Sequence, residues 1–294
     1  ADIAKAPPEV GLKALANTLS AIYNSSSVKE QGGCDFNGMT VLTCGRERPY
    51  LNAPWAAKLN HKPIRAVNIG GLFVLERWIL PDLFPWGEET GIIDQHSFSL
   101  KCEALGLCSK LKRHWKHFYT PQDFVTMKRM GLNAVRLPVG HWYFSQISNV
   151  SSYPYVMPDE SIYDYDHPIT EVITWAKTAG LQVILDLHTA PGSQNGFDNS
   201  GETAPTLQSS IWGETWMYDA ANVQATIDTI AALATYIEYV KEEFGLDNVM
   251  VLELLNEPWG SLDLRLVFEF YTRAIEGARA VSPDLPLILH DSFR

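Results

Sequence analysis

The chain lacks any apolar run approaching the roughly 20 residues that a membrane span needs, so no segment reads as transmembrane. It also lacks a basic block: 23 Lys and Arg are scattered against 34 Asp and Glu, for a formal net charge of −11. Such a surface repels phosphate backbones and anionic lipid, which excludes nucleic acid and membrane as expected partners. Cysteine is scarce, with four residues, no C-x2-C zinc spacing and no His beside them at ligand spacing. No H-x-x-x-H pattern draws His188, His290 and Asp291 into a metal site, so none is expected. Gly70-Gly71 runs into Leu72-Phe73-Val74 rather than G-x-G-x-x-G, and no cofactor is expected.

What is there supports a large core. Hydrophobic residues make up 46% and charged residues 19% of 294, enough for one large domain or two small ones. The four cysteines fall as Cys34 with Cys44 and Cys102 with Cys108. Three connectivities are open, as is a fully reduced state; the local pairing is preferred because short loops close at least entropic cost. The start at Ala1-Asp2-Ile3, without Met or an apolar leader, reads as a mature secreted chain. Asn-x-Ser sequons at Asn24 and Asn149 suit the same compartment.

Residues 1–62 differ from the rest. A helical pattern over Val10–Tyr23, a Ser-rich turn, a Gly-Gly-Cys segment and a Pro-containing connector read as an extension packed on the main domain. From 63 to 294 short apolar runs alternate with amphipathic stretches. The runs are Ile64–Ile69, Ala134–Val139, Gln182–His188, Val249–Leu255 and Leu287–His290. Between them lie Pro121–Met130, Ile169–Ala179, Val223–Phe244 and Leu264–Ala280, which predicts parallel strands with helical crossovers. Each run ends in a group able to do chemistry: Asn68, Arg136, Asp186 with His188, Asn256 with Glu257, and His290 with Asp291. Polar groups converging at strand ends point to the C-terminal face of a (β/α)8 TIM barrel.

The sharpest signal is Leu254-Leu255-Asn256-Glu257-Pro258. Glycoside hydrolysis needs two carboxyl groups flanking the scissile bond, one protonated to serve the leaving oxygen. Glu257 at a strand end suits that part if burial and a neighbouring carboxylate raise its pKa. Pro258, without an N–H, stops the strand there, and Asn256 can donate to a sugar 2-hydroxyl. Read alone, the same residues also make an ordinary strand-to-loop junction.

The wider context is more specific. Val67–Glu76, Val135–Gly140, Asp186–Gly201 and Glu253–Pro258 occur in that order, and Ala190-Pro191-Gly192-Ser193-Gln194-Asn195-Gly196-Phe197-Asp198-Asn199-Ser200-Gly201 is the most distinctive run. Together they resemble glycoside hydrolase family 5, in its fungal exo-β-1,3-glucanase-like branch, over residues 64–294. The resemblance implies a secreted retaining β-glycosidase acting on an oligosaccharide or glycoside. It makes Glu257 the acid/base, Asn256 its neighbour at the 2-hydroxyl, and Arg136 the group that orients the nucleophile. It also implies sugar contacts by His188 and Glu76, an aromatic wall at Phe197 and a binding role for Asp291. Trp142, Trp212, Trp216 and Trp259 are candidate platforms, and Arg136 can equally form an ion pair with Glu253. The branch usually has Tyr where His141 stands and Pro where Arg77 stands, both near the expected sugar. That keeps open a rutinosidase-type diglycosidase releasing a disaccharide from flavonoid glycosides. A non-catalytic carbohydrate-binding protein on the same scaffold is the alternative from another class.

Only about the first five β/α units are found, and the nucleophile, a Glu at the end of a seventh strand, is not in this chain. A second polypeptide segment completing the barrel is therefore expected, from proteolysis or from sequence continuing past Arg294. An open five-stranded sheet would leave a raw edge.

Overall fold

The computed structural model describes residues 62–84, 90–203 and 214–292, with short pieces at 34–36, 39–41 and 54–59. The helical pattern at Val10–Tyr23, the sequon at Asn24, the pairing of Cys34 with Cys44 and the platform at Trp212 lie outside the described residues. Of the extension, a two-stranded antiparallel hairpin (Cys34–Phe36 with Met39–Val41) and a 3-10 helix (Pro54–Leu59) are described.

Five strands form one parallel sheet: β1 (Ala66–Asn68), β2 (Ala134–Val139), β3 (Gln182–Leu187), β4 (Val249–Glu253) and β5 (Leu287–Ile288). Their spatial order is their chain order, 1-2-3-4-5. A doubly wound sheet reverses order at a switch point; this one never does, so it is wound in one direction, as a barrel is. The helices that follow the strands begin where the sequence dictates. Pro121 and Pro168 open α3 (Pro121–Arg129) and α4 (Pro168–Thr178), at positions whose N–H has no helical partner. Asp219 caps α5 (Ala220–Phe244) by accepting from Ala221 N at 2.8 Å, and Gly245 ends it at φ 66°. Asp263 caps α6 (Leu264–Val281) through Arg265 N at 2.9 Å.

Two helices precede these, α1 (Gln95–Lys101) and α2 (Cys108–His117), joined by the Cys102–Cys108 disulfide. The sequence reading passed over them. α2 buries only Leu111 and Trp115 among mostly basic neighbours, so its apolar stripe is thin. α1 nevertheless serves the site. Its N-cap Asp94 accepts from Ser97 N at 2.7 Å and from Thr203 N at 2.7 Å, pinning the end of the loop after β3.

Alternate residues of β2 and β3 face opposite ways, while β4 carries an extra residue at Met250, so Met250 and Val251 share a face. Val135, Leu137, Val139, Val183, Leu185, Leu187, Leu252 and Leu254 join the large core under the helices. The other face carries a small plug of Ala134, Ile184, Met250 and Val251, closed at one end by Leu59 from within the extension. Above that plug the same face turns polar.

Candidate active site

The polar end of the inner face is organised by Arg136. Register places Asn68 beside Arg136, and Asp186 beside Glu253. The guanidinium grips Glu253 with two bonds, Nε to Oε2 at 2.7 Å and Nη2 to Oε1 at 2.8 Å. It also reaches Asp186 Oδ2 at 3.0 Å, Asn256 Oδ1 at 2.9 Å and Asn68 Oδ1 at 3.0 Å. The ion pair with Glu253 raised from sequence is thus present, and it is one spoke of a larger network. Burial works against the Arg136 charge, but Asp186, Glu253 and then Glu257 outweigh it and hold the group above its ordinary range. Burial, and next the Asp186 charge, push the Glu253 carboxyl up, against the pull of Arg136. One cation between two buried carboxylates is a high-stakes arrangement, because removing it strands both charges.

His188 stands beside this group, 5% exposed, with Nδ1 donating to Asp186 Oδ2 at 2.5 Å. The bond fixes the ring's orientation and leaves Nε2 directed elsewhere. Asn256 is fixed in a similar way. Its Oδ1 is engaged by Arg136, while its buried Nδ2 has no hydrogen-bond partner among the described residues. Buried amide donors are rarely left so.

Glu257 follows in an unusual backbone state. Its φ of 45° is left-handed, which costs an L residue roughly 1–2 kcal/mol. The flanks hold it there. Asn256 N donates to Leu187 O at 2.9 Å and Trp259 N to Gln194 O at 3.2 Å. Gln194 closes the clamp, its Nε2 donating to His188 O and Asn256 O, each at 2.9 Å, while Oε1 accepts from Ala190 N. The half-buried Glu257 carboxylate accepts from Asn199 Nδ2 at 3.1 Å, and Asn195 Nδ2 in turn bonds Asn199 Oδ1 at 3.2 Å. Gln194, Asn195 and Asn199 lie within the run quoted from sequence, but nothing in one dimension showed which amide met which carbonyl. Gly201 must be glycine: at φ 85°, a Cβ would stand 2.8 Å from the Trp142 ring.

Phe197 and Trp259 meet edge to face, centroids 4.9 Å apart and planes at 76°, forming an aromatic pair beside Glu257. Glu76 lies in the loop after β1, its Oε2 accepting from the indole N–H of Trp78 at 2.9 Å. Trp78 is 76% exposed and went unremarked in the sequence. Arg77 N bonds Asp198 Oδ2 at 3.4 Å, tying this loop to the one after β3.

Other expected residues are placed differently. His141 is 4% exposed, its N and Nδ1 both meeting Thr189 Oγ1, at 3.0 and 2.9 Å. Burial drives its pKa down to about 3, so the ring is neutral where it packs against Thr189. Trp142 and Trp216 are both fully buried, Trp142 stacked on Tyr155 at 3.7 Å, which removes them as platforms. The Asp291 side chain is 76% exposed and stands 3.7 Å from His290 Nδ1, at the outer strand of the sheet. Among the described residues no group of His, Cys, Asp and Glu is arranged to hold a metal.

Comparison with known proteins decides the lineage. The sequence pattern described as Cellulase (glycosyl hydrolase family 5) matches residues 96–292. The chain belongs to glycosyl hydrolase family 5. Its relatives in the family include a glucan 1,3-beta-glucosidase of Blumeria graminis, 38% identical over 241 residues, covering 81% of this chain and 51% of that protein. A glucan 1,3-beta-glucosidase of Lachancea kluyveri is 38% identical over 242 residues, covering 78% of this chain and 50% of the relative. The chain thus spans about half the length of the curated relatives it matches. Among solved structures, a rutinosidase from Aspergillus niger superposes with a TM-score of 0.62 at 19% identity, over 78% of this chain and 63% of the other. That likeness concerns the fold. The five β/α units are the corresponding part of a family 5 (β/α)8 barrel.

Proposed function

We propose that the whole protein is a secreted retaining β-glycosidase that cleaves β-1,3-glucosidic bonds, with Glu257 as acid/base. The observation that carries this is the state of Asn256. Arg136 fixes its amide by Oδ1, and the buried Nδ2 next to Glu257 lacks a partner among the described residues. A sugar 2-hydroxyl supplies such an acceptor, and that contact strengthens in an oxocarbenium-like transition state. His188 and Glu76 take further hydroxyls, and Phe197 with Trp259 stacks on the leaving group. His141 supports the loop from beneath, and Asp291 contacts a more distant sugar.

The nucleophile is a second carboxylate from a segment that completes the barrel. Two features favour that segment: the relatives are about twice as long, and the outer strands of the sheet are not fully covered, β1 being exposed along its length and β5 half-buried. Unpaired sheet edges are normally covered. Secretion agrees with the Cys102–Cys108 disulfide. It also agrees with the exposed sequon at Asn149, in a left-handed turn after a one-turn helix, which we take as a glycosylation site.

The test is product analysis with full-length protein on laminarin, rutin and an aryl β-glucoside. Glucose from laminarin is the expected result. Intact rutinose from rutin, with laminarin untouched, would replace the glucanase by a diglycosidase. Binding of laminarin without hydrolysis of any of the three would make this a carbohydrate-binding protein.

A further inference from the structure

A cleft of about 330 Å3 opens between the first turns of α5 and α6. Its floor is apolar, made by Met217, Val223 and Phe270, each less than a tenth exposed. Tyr218, 52% exposed, stands at its edge. Asp263, Arg265, Glu269 and Arg273 complete the lining, so two carboxylates oppose two guanidiniums. Arg265 is steadied by Asp263 at 3.1 Å and Arg273 by the side-chain oxygen of Gln224.

This chemistry narrows the ligand. A charged ligand gains from one pair of lining residues what it loses to the other, so the balanced set favours a neutral one. Planar carboxylate and guanidinium groups suit a ligand rich in hydroxyls, which both donate and accept. An exposed aromatic ring over an apolar floor suits the C–H face of a pyranose. The cleft also adjoins the candidate site. Residues 258–262 run directly from Glu257 to Asp263. On the far side Gly192 abuts the segment behind Tyr218, where an added Cβ would stand 3.1 Å from Thr215 O and 2.5 Å from Asn222 Nδ2.

We propose that this cleft is an accessory site for a neutral β-glucan chain, holding a remote part of the polymer while its end is processed at Glu257. This rests on the glucosidase reading for the identity of the polymer. Holding the chain raises the local concentration of its end at the catalytic groups, and the benefit vanishes for a substrate too short to bridge both places.

The experiment is native gel electrophoresis of the full-length protein through laminarin, in a Glu257→Gln background so that the polymer is not consumed. Tyr218→Ala is expected to weaken retardation roughly threefold to tenfold, the range for loss of an aromatic contact. Tyr218→Phe, which keeps the ring, should retain it. In the active enzyme Tyr218→Ala should raise KM for laminarin and leave turnover of an aryl β-glucoside unchanged. Equal retardation of Tyr218→Ala and its parent, or no retardation of the parent, would overturn the accessory site. Failure of the glucosidase reading would show separately, as wild type that hydrolyses neither laminarin nor the aryl glucoside.

Discussion

On β2, Val135, Leu137 and Val139 enter the core beneath the helices, while Ala134 and Arg136 face the inside of the sheet. β3 and β4 divide alike, with Leu185 and Leu252 on one side and Asp186 and Glu253 on the other. On β2, β3 and β4 the outer face is apolar and covered. The inner face is apolar only at the Leu59 end, then becomes a lattice of one guanidinium, two carboxylates, an imidazole and two amides. Continuous burial of aliphatic groups supplies stability, whereas the inner lattice gains little net stability from its desolvated charges. Its value lies in holding Asn256 and His188 in fixed orientation.

The contrast can be broken most severely at Arg136. Arg136→Met leaves Asp186 and Glu253 facing each other, and we expect a loss of about 4 kcal/mol together with any hydrolytic activity. Urea denaturation and aryl-glucoside assays report the two effects. Leu185→Ala probes the other face. A cavity there should cost about 3 kcal/mol, seen as a lower urea midpoint, while kcat at 25 °C stays within a factor of two or so. Comparable losses of kcat in both variants would mean that the faces are not separable as described.

Acid should act through buried imidazoles. Burial lowers His141 to about 3 and His167 to about 4, both below the unfolded value near 6.5. With folded pKa values depressed, their contribution is complete above about pH 6.5 and is lost as pH falls toward 4. His167 Nδ1 caps α4 by accepting from Ile169 N at 3.3 Å, a part Asn also plays. His167→Asn should therefore flatten the decline of the urea midpoint between pH 6.5 and 4.5. The smallest effect belongs to the exposed pair of Lys112 and Asp159. Asp159→Ala should change stability by less than about 1 kcal/mol, within the scatter of thermal melts.

The five strands were legible because each is a β-branched or aliphatic run ending in a polar group, and four of the helices because their stretches are amphipathic. The site was legible as a set of residue types: Arg136 with Glu253, Asn256 with Glu257, His188 after Asp186. Its internal wiring was not. The bonds of Gln194 to the backbones of His188 and Asn256, and the left-handed turn at Glu257, depend on two strands meeting in register. Trp142 and Trp216 show a related limit. A large aromatic after a strand looks the same in sequence whether its ring faces a sugar or, as here, the core.

The most direct test of the central claim compares wild type with Glu257→Gln on two substrates of the full-length protein. Laminarin has a poor leaving group that needs a proton; dinitrophenyl β-glucoside has one that does not. The account predicts a loss of about 100-fold or more on laminarin and a much smaller loss on the activated glucoside. Equal losses on both would contradict a proton-donating Glu257.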